Sequence, residues 1–94
     1  MKTPAHTQIT FVSFLAPTDI LGARIRLEDG TTGKVRTIPY NYELNNPEQG
    51  ALAWFAENGV HPIGRASYGR NLEQAVLIHA PEADRALFSL FVRP

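Results

Sequence analysis

The chain has 94 residues, 44% of them apolar and 19% charged, and its nine Lys and Arg are balanced by nine Asp and Glu. That is enough for one small globular domain, too little for a two-domain enzyme, a full dinucleotide-binding fold or a TIM barrel, and too apolar for a disordered segment. The neutral balance argues against a strongly basic nucleic-acid binder and against an acidic DNA mimic. With no cysteine in the sequence, disulfides and thiolate zinc sites are excluded.

No stretch approaches the roughly 18 apolar residues that a membrane crossing needs. The polar start, Met1 to Gln8, lacks the apolar core of a secretory signal. The expectation is a single cytoplasmic domain with no membrane partner. A chain of this size buries only about 60–65% of its unfolded surface, so a homo-oligomer is one route to added stability.

In chain order, residues 1–7 read as a loose arm. Ile9 to Leu15 (ITFVSFL) is rich in β-branched and aromatic residues and reads as a strand. Ile9, Phe11 and Leu15 point to one face, Val12 and Phe14 to the other, which suits a strand that is central or covered on both sides. Ala16-Pro17-Thr18-Asp19 carries turn chemistry. In Ala23 to Glu28 the apolar Ala23, Ile25 and Leu27 alternate with Arg24, Arg26 and Glu28, the pattern of a half-exposed antiparallel strand. Asp29-Gly30-Thr31-Thr32-Gly33 forms a hairpin loop, and a third strand runs from Lys34 to about Ile38; Pro39 removes a ladder donor, so the strand ends there or lies at an edge. Pairing Leu27 with Val35 and Arg26 with Arg36 would gather Arg24, Arg26, Lys34 and Arg36 on one solvent face.

Asn46-Pro47-Glu48-Gln49 is a helix start: an N-cap, a proline suited to the first turn, an acid near the positive end of the dipole and a glutamine at the capping-box position. The helix spans 47–58 and stops at Gly59. Ala51, Leu52, Phe55 and Ala56 form its buried stripe, with Trp54 off its centre, at the margin or on the surface. Ile63 to Tyr68 is a short strand, Gly69-Arg70-Asn71 a turn, and Glu73 to His79 (EQAVLIH) another strand. Pro81 to Phe91 reads as a helix from the spacing of Ala83, Leu87, Leu90 and Phe91; a strand from Ala86 to Val92 is the alternative. The expected fold is α+β, in the order β-β-β-α-β-β plus a C-terminal helix or strand: a small, mainly antiparallel sheet of about five strands with one capped helix on one face.

Chemistry-bearing residues are sparse. His6, His61 and His79 fall in an arm, a loop and a strand end, without the helical spacing of a metal site. No serine sits in a nucleophile elbow, and no base is placed beside a nucleophile. Gly64 to Asn71 has the spacing of a P-loop, but Arg70 stands where lysine is needed and Asn71 where a magnesium-binding hydroxyl is needed. Arg65 and Arg70 remain candidates for holding an anion. The expectation is a protein that is not an enzyme and needs no cofactor or metal. Its candidate partner-binding residues are the ribbon cations Arg24, Arg26, Lys34 and Arg36 with the neighbouring Tyr40 and Tyr42, since exposed aromatics and arginines anchor interfaces. A protein partner bound by occlusion is the leading expectation. A nucleic-acid module using the same ribbon is the alternative, although no aromatic residue interleaves with its cations to stack bases. A small ligand-binding domain or enzyme comes last.

One resemblance adds context. The segments Ile9-Thr10, Phe14-Leu15-Ala16-Pro17-Thr18, Gly22-Ala23-Arg24-Ile25, Thr37-Ile38-Pro39-Tyr40-Asn41-Tyr42-Glu43-Leu44 and Ala51-Leu52-Ala53 resemble small uncharacterised proteins encoded on bacterial plasmids, phages and integrated elements. Those carry a Y-L-G-P-T-x-x-x-G-A/S-R-I start, a T-I/V-P-Y/W-x-Y/H-x-L centre and an Ala-rich helix. The resemblance covers residues 9–79. It departs at Ala16, where the pattern has Gly, and the segment from Pro81 looks like an addition. The resemblance implies an accessory gene of a mobile element, whose products often bind and block host machinery; no activity or site residue is carried over.

Overall fold

The computed structural model describes residues 8–44 and 46–92; the expected N-terminal arm, residues 1–7, lies outside them. Five strands form one antiparallel sheet: β1 (Gln8–Leu15), β2 (Arg24–Asp29), β3 (Val35–Pro39), β4 (Gly64–Tyr68) and β5 (Gln74–His79), in the spatial order β3-β2-β1-β5-β4. Helix α1 (Pro47–Glu57) carries the chain from β3 at one edge to β4 at the other. After β5, a 3-10 turn at Pro81–Ala83 leads into α2 (Asp84–Val92), so the helical spacing of the C-terminal segment decides over the strand alternative. The α+β expectation and its element order hold.

β1 is central, as its two apolar faces suggest, with β2 on one side and β5 on the other. Val12 faces Leu27 and Ala75, and Phe14 faces Ile25. This face of the sheet, with Ile38 and Leu77, packs against Ala51 and Phe55 of α1, Val60 beyond it, and Leu87 and Phe91 of α2. Each such Leu, Ile or Phe side chain withdrawn from water contributes about 1.5–3 kcal/mol. Gly50 lets α1 lie close to β2, since a Cβ there would fall 2.6 Å from Ile25 Cδ1. The buried stripe is therefore Pro47, Gly50, Ala51 and Phe55. Leu52 is only partly buried, and Ala56, expected within the stripe, is exposed.

Local signals explain both ends of α1. Asn46 is extended, and its side-chain oxygen accepts from the Gln49 N–H at 3.0 Å. At the other end Gly59 takes a φ of 79°. Its N–H donates to Ala56 O at 3.0 Å, while the Val60 N–H donates to Phe55 O at 2.8 Å. That is a Schellman motif, and buried Val60 joins the Phe55 cluster as its hydrophobic contact.

The β2–β3 register differs from the expected one by one residue. Arg26 lies opposite Thr37, Leu27 opposite Arg36 and Glu28 opposite Val35. The cause is in the hairpin. The Gly33 N–H donates to Asp29 O, the Asp29 N–H donates to Lys34 O, and the Asp29 carboxylate accepts from the amides of Thr31 and Thr32. Asp29 thereby ends β2 as a paired residue rather than opening the loop. A shift of one turns every β3 side chain to the other face: Ile38 enters the core opposite Ile25, while Val35 and Thr37 face outward.

Candidate interaction surface

Both helices pack on one face of the sheet, and among the described residues no element covers the other. The register sorts this open face into cross-strand rows. Ile9 sits beside Ile78, then Gly64; Phe11 lies between Val76 and Glu28, with Ala66 and Val35 further out. Ser13 lies between Gln74 and Arg26, flanked by Tyr68 and Thr37. One half of the face is thus apolar and the other polar. Ile9, Phe11, Val35 and Tyr68 are 37%, 40%, 43% and 44% exposed, which makes a contiguous apolar surface rather than scattered residues. β1 is central but uncovered on this side, contrary to one of the two expectations for it.

At the β2–β3 end the face runs into a cleft of about 380 Å³, walled by Leu21, Arg24, Thr37, Pro39, Tyr40 and Tyr42. The Tyr42 hydroxyl oxygen accepts from the Ala23 N–H at 3.3 Å. The Tyr40 ring sits edge-on to Tyr42 at 5.1 Å and to Phe14 at 5.4 Å. The loop wall is shaped by Thr18, whose Oγ1 accepts from the amides of Ile20 and Leu21 at 3.3 and 3.0 Å. That turn leaves Ile20 90% exposed beside the cleft residue Leu21. Arg24 brings a guanidinium whose Nε is buried without a hydrogen-bond acceptor.

The candidate residues from the sequence separate into three groups. Arg24, Tyr40 and Tyr42 come together in the cleft, and Arg26 lies on the open face beside it, ion-paired to Glu28 at 2.8 Å. Arg36 does not join them. The register turns it to the helix-bearing face, where its guanidinium lies 5.3 Å from the Trp54 ring centroid and donates to Leu90 O at 3.2 Å. Lys34 is exposed beside the turn, outside β3. The expected single basic face of four cations is thus not formed. Arg65 and Arg70 line different clefts, and Arg65 lies 3.8 Å from Glu48, whose carboxylate also accepts from the Ser67 hydroxyl. The pair does not form a common anion site.

Sequence reasoning missed Phe11, Val35, Val76 and Tyr68 as surface groups. Their signal was present in the two apolar faces of β1 and the unbroken apolar run of β5, but which face the helices would leave open is a tertiary outcome.

A second unpredicted constellation lies in the core. Thr10 Oγ1 and His79 Nε2 are 2.8 Å apart, both side chains are essentially inaccessible, and the His79 ring packs edge-on to Phe55 at 5.0 Å. Burial pushes the His79 pKa below the ordinary histidine value, and the nearby Asp29 carboxylate opposes that shift. A hydroxyl beside an imidazole is the start of a nucleophile–base pair, but this pair is sealed under α1 and lines none of the clefts described above.

Among the described residues no group of three or more His, Cys, Asp or Glu is placed to hold a metal ion, and no helix is long and apolar enough to cross a membrane. No protein-family model, curated protein or solved structure matches the chain.

Proposed function

We propose that this protein is a non-enzymatic binding module that acts by covering part of a partner protein, as an accessory product of a mobile element that modulates a host protein. The observation that supports this is the open sheet face: an apolar field centred on Phe11 and Val76, bordered by the Arg26–Glu28 pair and by the aromatic cleft of Tyr40 and Tyr42. Apolar and aromatic groups ringed by polar ones are the usual anatomy of a protein interface. The test is capture from bacterial lysate by the tagged protein and by a Phe11→Asp variant, each with and without nuclease. A protein retained by the parent after nuclease treatment and lost from the variant supports the proposal; equal capture by both removes the open face from it.

A second proposal rests on the same register. Phe11 and Tyr68 are half-exposed rings on the face that also carries Arg24 and Arg26, so an aromatic does share a face with these cations, unlike in the expected ribbon. That is the layout of a sheet that stacks single-stranded bases. Glu28 offsets the charge of Arg26 at 2.8 Å, which favours the protein partner. Binding to a single-stranded oligonucleotide that falls steeply with salt would reverse the order.

A further inference from the structure

We infer that the cleft at the β2–β3 end takes the C-terminal residue of a partner polypeptide, binding its apolar side chain and its free carboxylate together. The inference rests on the protein-binding proposal and gives that partner a chemistry.

Arg24 is the starting point. Arg26 has Glu28, Arg36 has Trp54 and Leu90 O, and Arg65 has Glu48. The Arg24 side chain has neither ion pair nor hydrogen bond among the described residues, and its Nε is buried without an acceptor. That Nε is closed to any ligand, so the terminal nitrogens, which are not buried, are what Arg24 offers to the cleft, and hydrogen bonds to a charged group are among the stronger ones. The group that answers a guanidinium best is a carboxylate, which accepts two parallel N–H bonds. A second donor lines the same cleft: the Tyr42 oxygen already accepts from the Ala23 N–H, which leaves its own proton to give.

Of the remaining walls, Leu21, Pro39 and the Tyr40 ring are apolar, and Thr37 adds one polar side chain. The space of about 380 Å³ is at the small end for a ligand pocket. The occupant must therefore place a negative charge and an apolar group within one residue's reach. An internal Asp or Glu does not, because in an extended segment its apolar neighbour points to the opposite side. A chain-terminal apolar residue carries both groups on one Cα.

The experiment is a titration of the isotope-labelled full chain, followed by NMR at the Arg24 Nε–H and the Ala23 amide. The probes are acetyl-Gly-Gly-Phe with a free C-terminus, the same peptide as its C-terminal amide, and N-acetylphenylalanine. The acid peptide is expected to shift both signals saturably and to bind at least tenfold more tightly than the amide. Arg24→Gln should erase that difference while its spectrum stays dispersed, and Tyr42→Phe should reduce it. Equal binding of acid and amide, or shifts centred on Phe11, would overturn the inference. N-acetylphenylalanine binding as tightly as the peptide would overturn the polypeptide assignment in favour of a small carboxylate. Lysate capture that depends on Phe11 while the peptide leaves the cleft signals unmoved defeats the cleft assignment alone; peptide binding without any Phe11-dependent capture defeats the open-face proposal instead.

Discussion

The Thr10 hydroxyl meets the His79 imidazole at 2.8 Å in the interior, joining the central strand β1 to its neighbour β5 across 69 residues of sequence. Around the imidazole stand the Phe55 ring and the Asp29 carboxylate, and its Nδ1 is buried without a partner. The interior favours the neutral imidazole, because an imidazolium there would place a charge in a site closed to water.

This arrangement sets the pH dependence of stability. The folded state binds the His79 proton less tightly than the unfolded chain, whose value is near the ordinary 6.5. Stability is thus complete above that value and declines as the pH falls through it toward the lower folded value. Urea unfolding at pH 8 and pH 5 should show the loss, and His79→Leu should flatten it. Asp29→Asn should enlarge it, because a charge that favours the imidazolium is removed.

Phe55 touches Trp54, His79 and Phe91 and is fully buried. Phe55→Ala should destabilise the domain by about 3–5 kcal/mol, a large part of the stability a small domain has. Denaturant midpoints, with the slope checked for change, would measure it.

The two caps of α1 should fail by different amounts. Asn46→Ala removes the acceptor for the Gln49 N–H and should cost about 1 kcal/mol. Gly59→Ala forces a Cβ into a φ of 79° with nothing within 4 Å to clash, so its cost is backbone strain alone, about 1–2 kcal/mol. Thermal unfolding of both variants checks the two values.

Charge reversal separates two arginines that the sequence placed together. Arg36→Glu loses the Trp54 stack and the bond to Leu90 O and should cost at least 2 kcal/mol, roughly the size of a desolvated cation–π contact. Arg26→Glu breaks a pair with side chains 39% and 34% exposed and should change stability by less than about 1 kcal/mol. Partner capture should respond to Arg26→Glu without unfolding, whereas any loss with Arg36→Glu should follow the melted fraction.

Much of this fold is written locally. Asn46-Pro47 and Gly59 bracket α1 because caps are short-range chemistry, and the five strand segments are visible in alternation and β-branching. The β2–β3 register is not. Val35-Arg36-Thr37-Ile38 presents a β-branched residue to either face, so alternation alone accepts both pairings. What decides is a backbone closure at Asp29 together with Trp54, which gives an inward Arg36 somewhere to lie. The candidate site shared that fate: Arg24, Tyr40 and Tyr42 were legible as interface types, while the open apolar rows depend on where both helices settle. The Thr10–His79 contact had no local trace at all.

The strand order carries one more consequence, on the ribosome. The middle of the sheet is β1, near the start of the described chain, paired with β5, which ends at His79. A nascent chain that has emerged only as far as β3 or α1 therefore lacks one of β1's two neighbours. Phe11 and Val12 wait with one strand edge unpaired until residues 74–79 have been made, and such edges invite pairing with other chains. Completion of the domain is tied to the synthesis of its last strand.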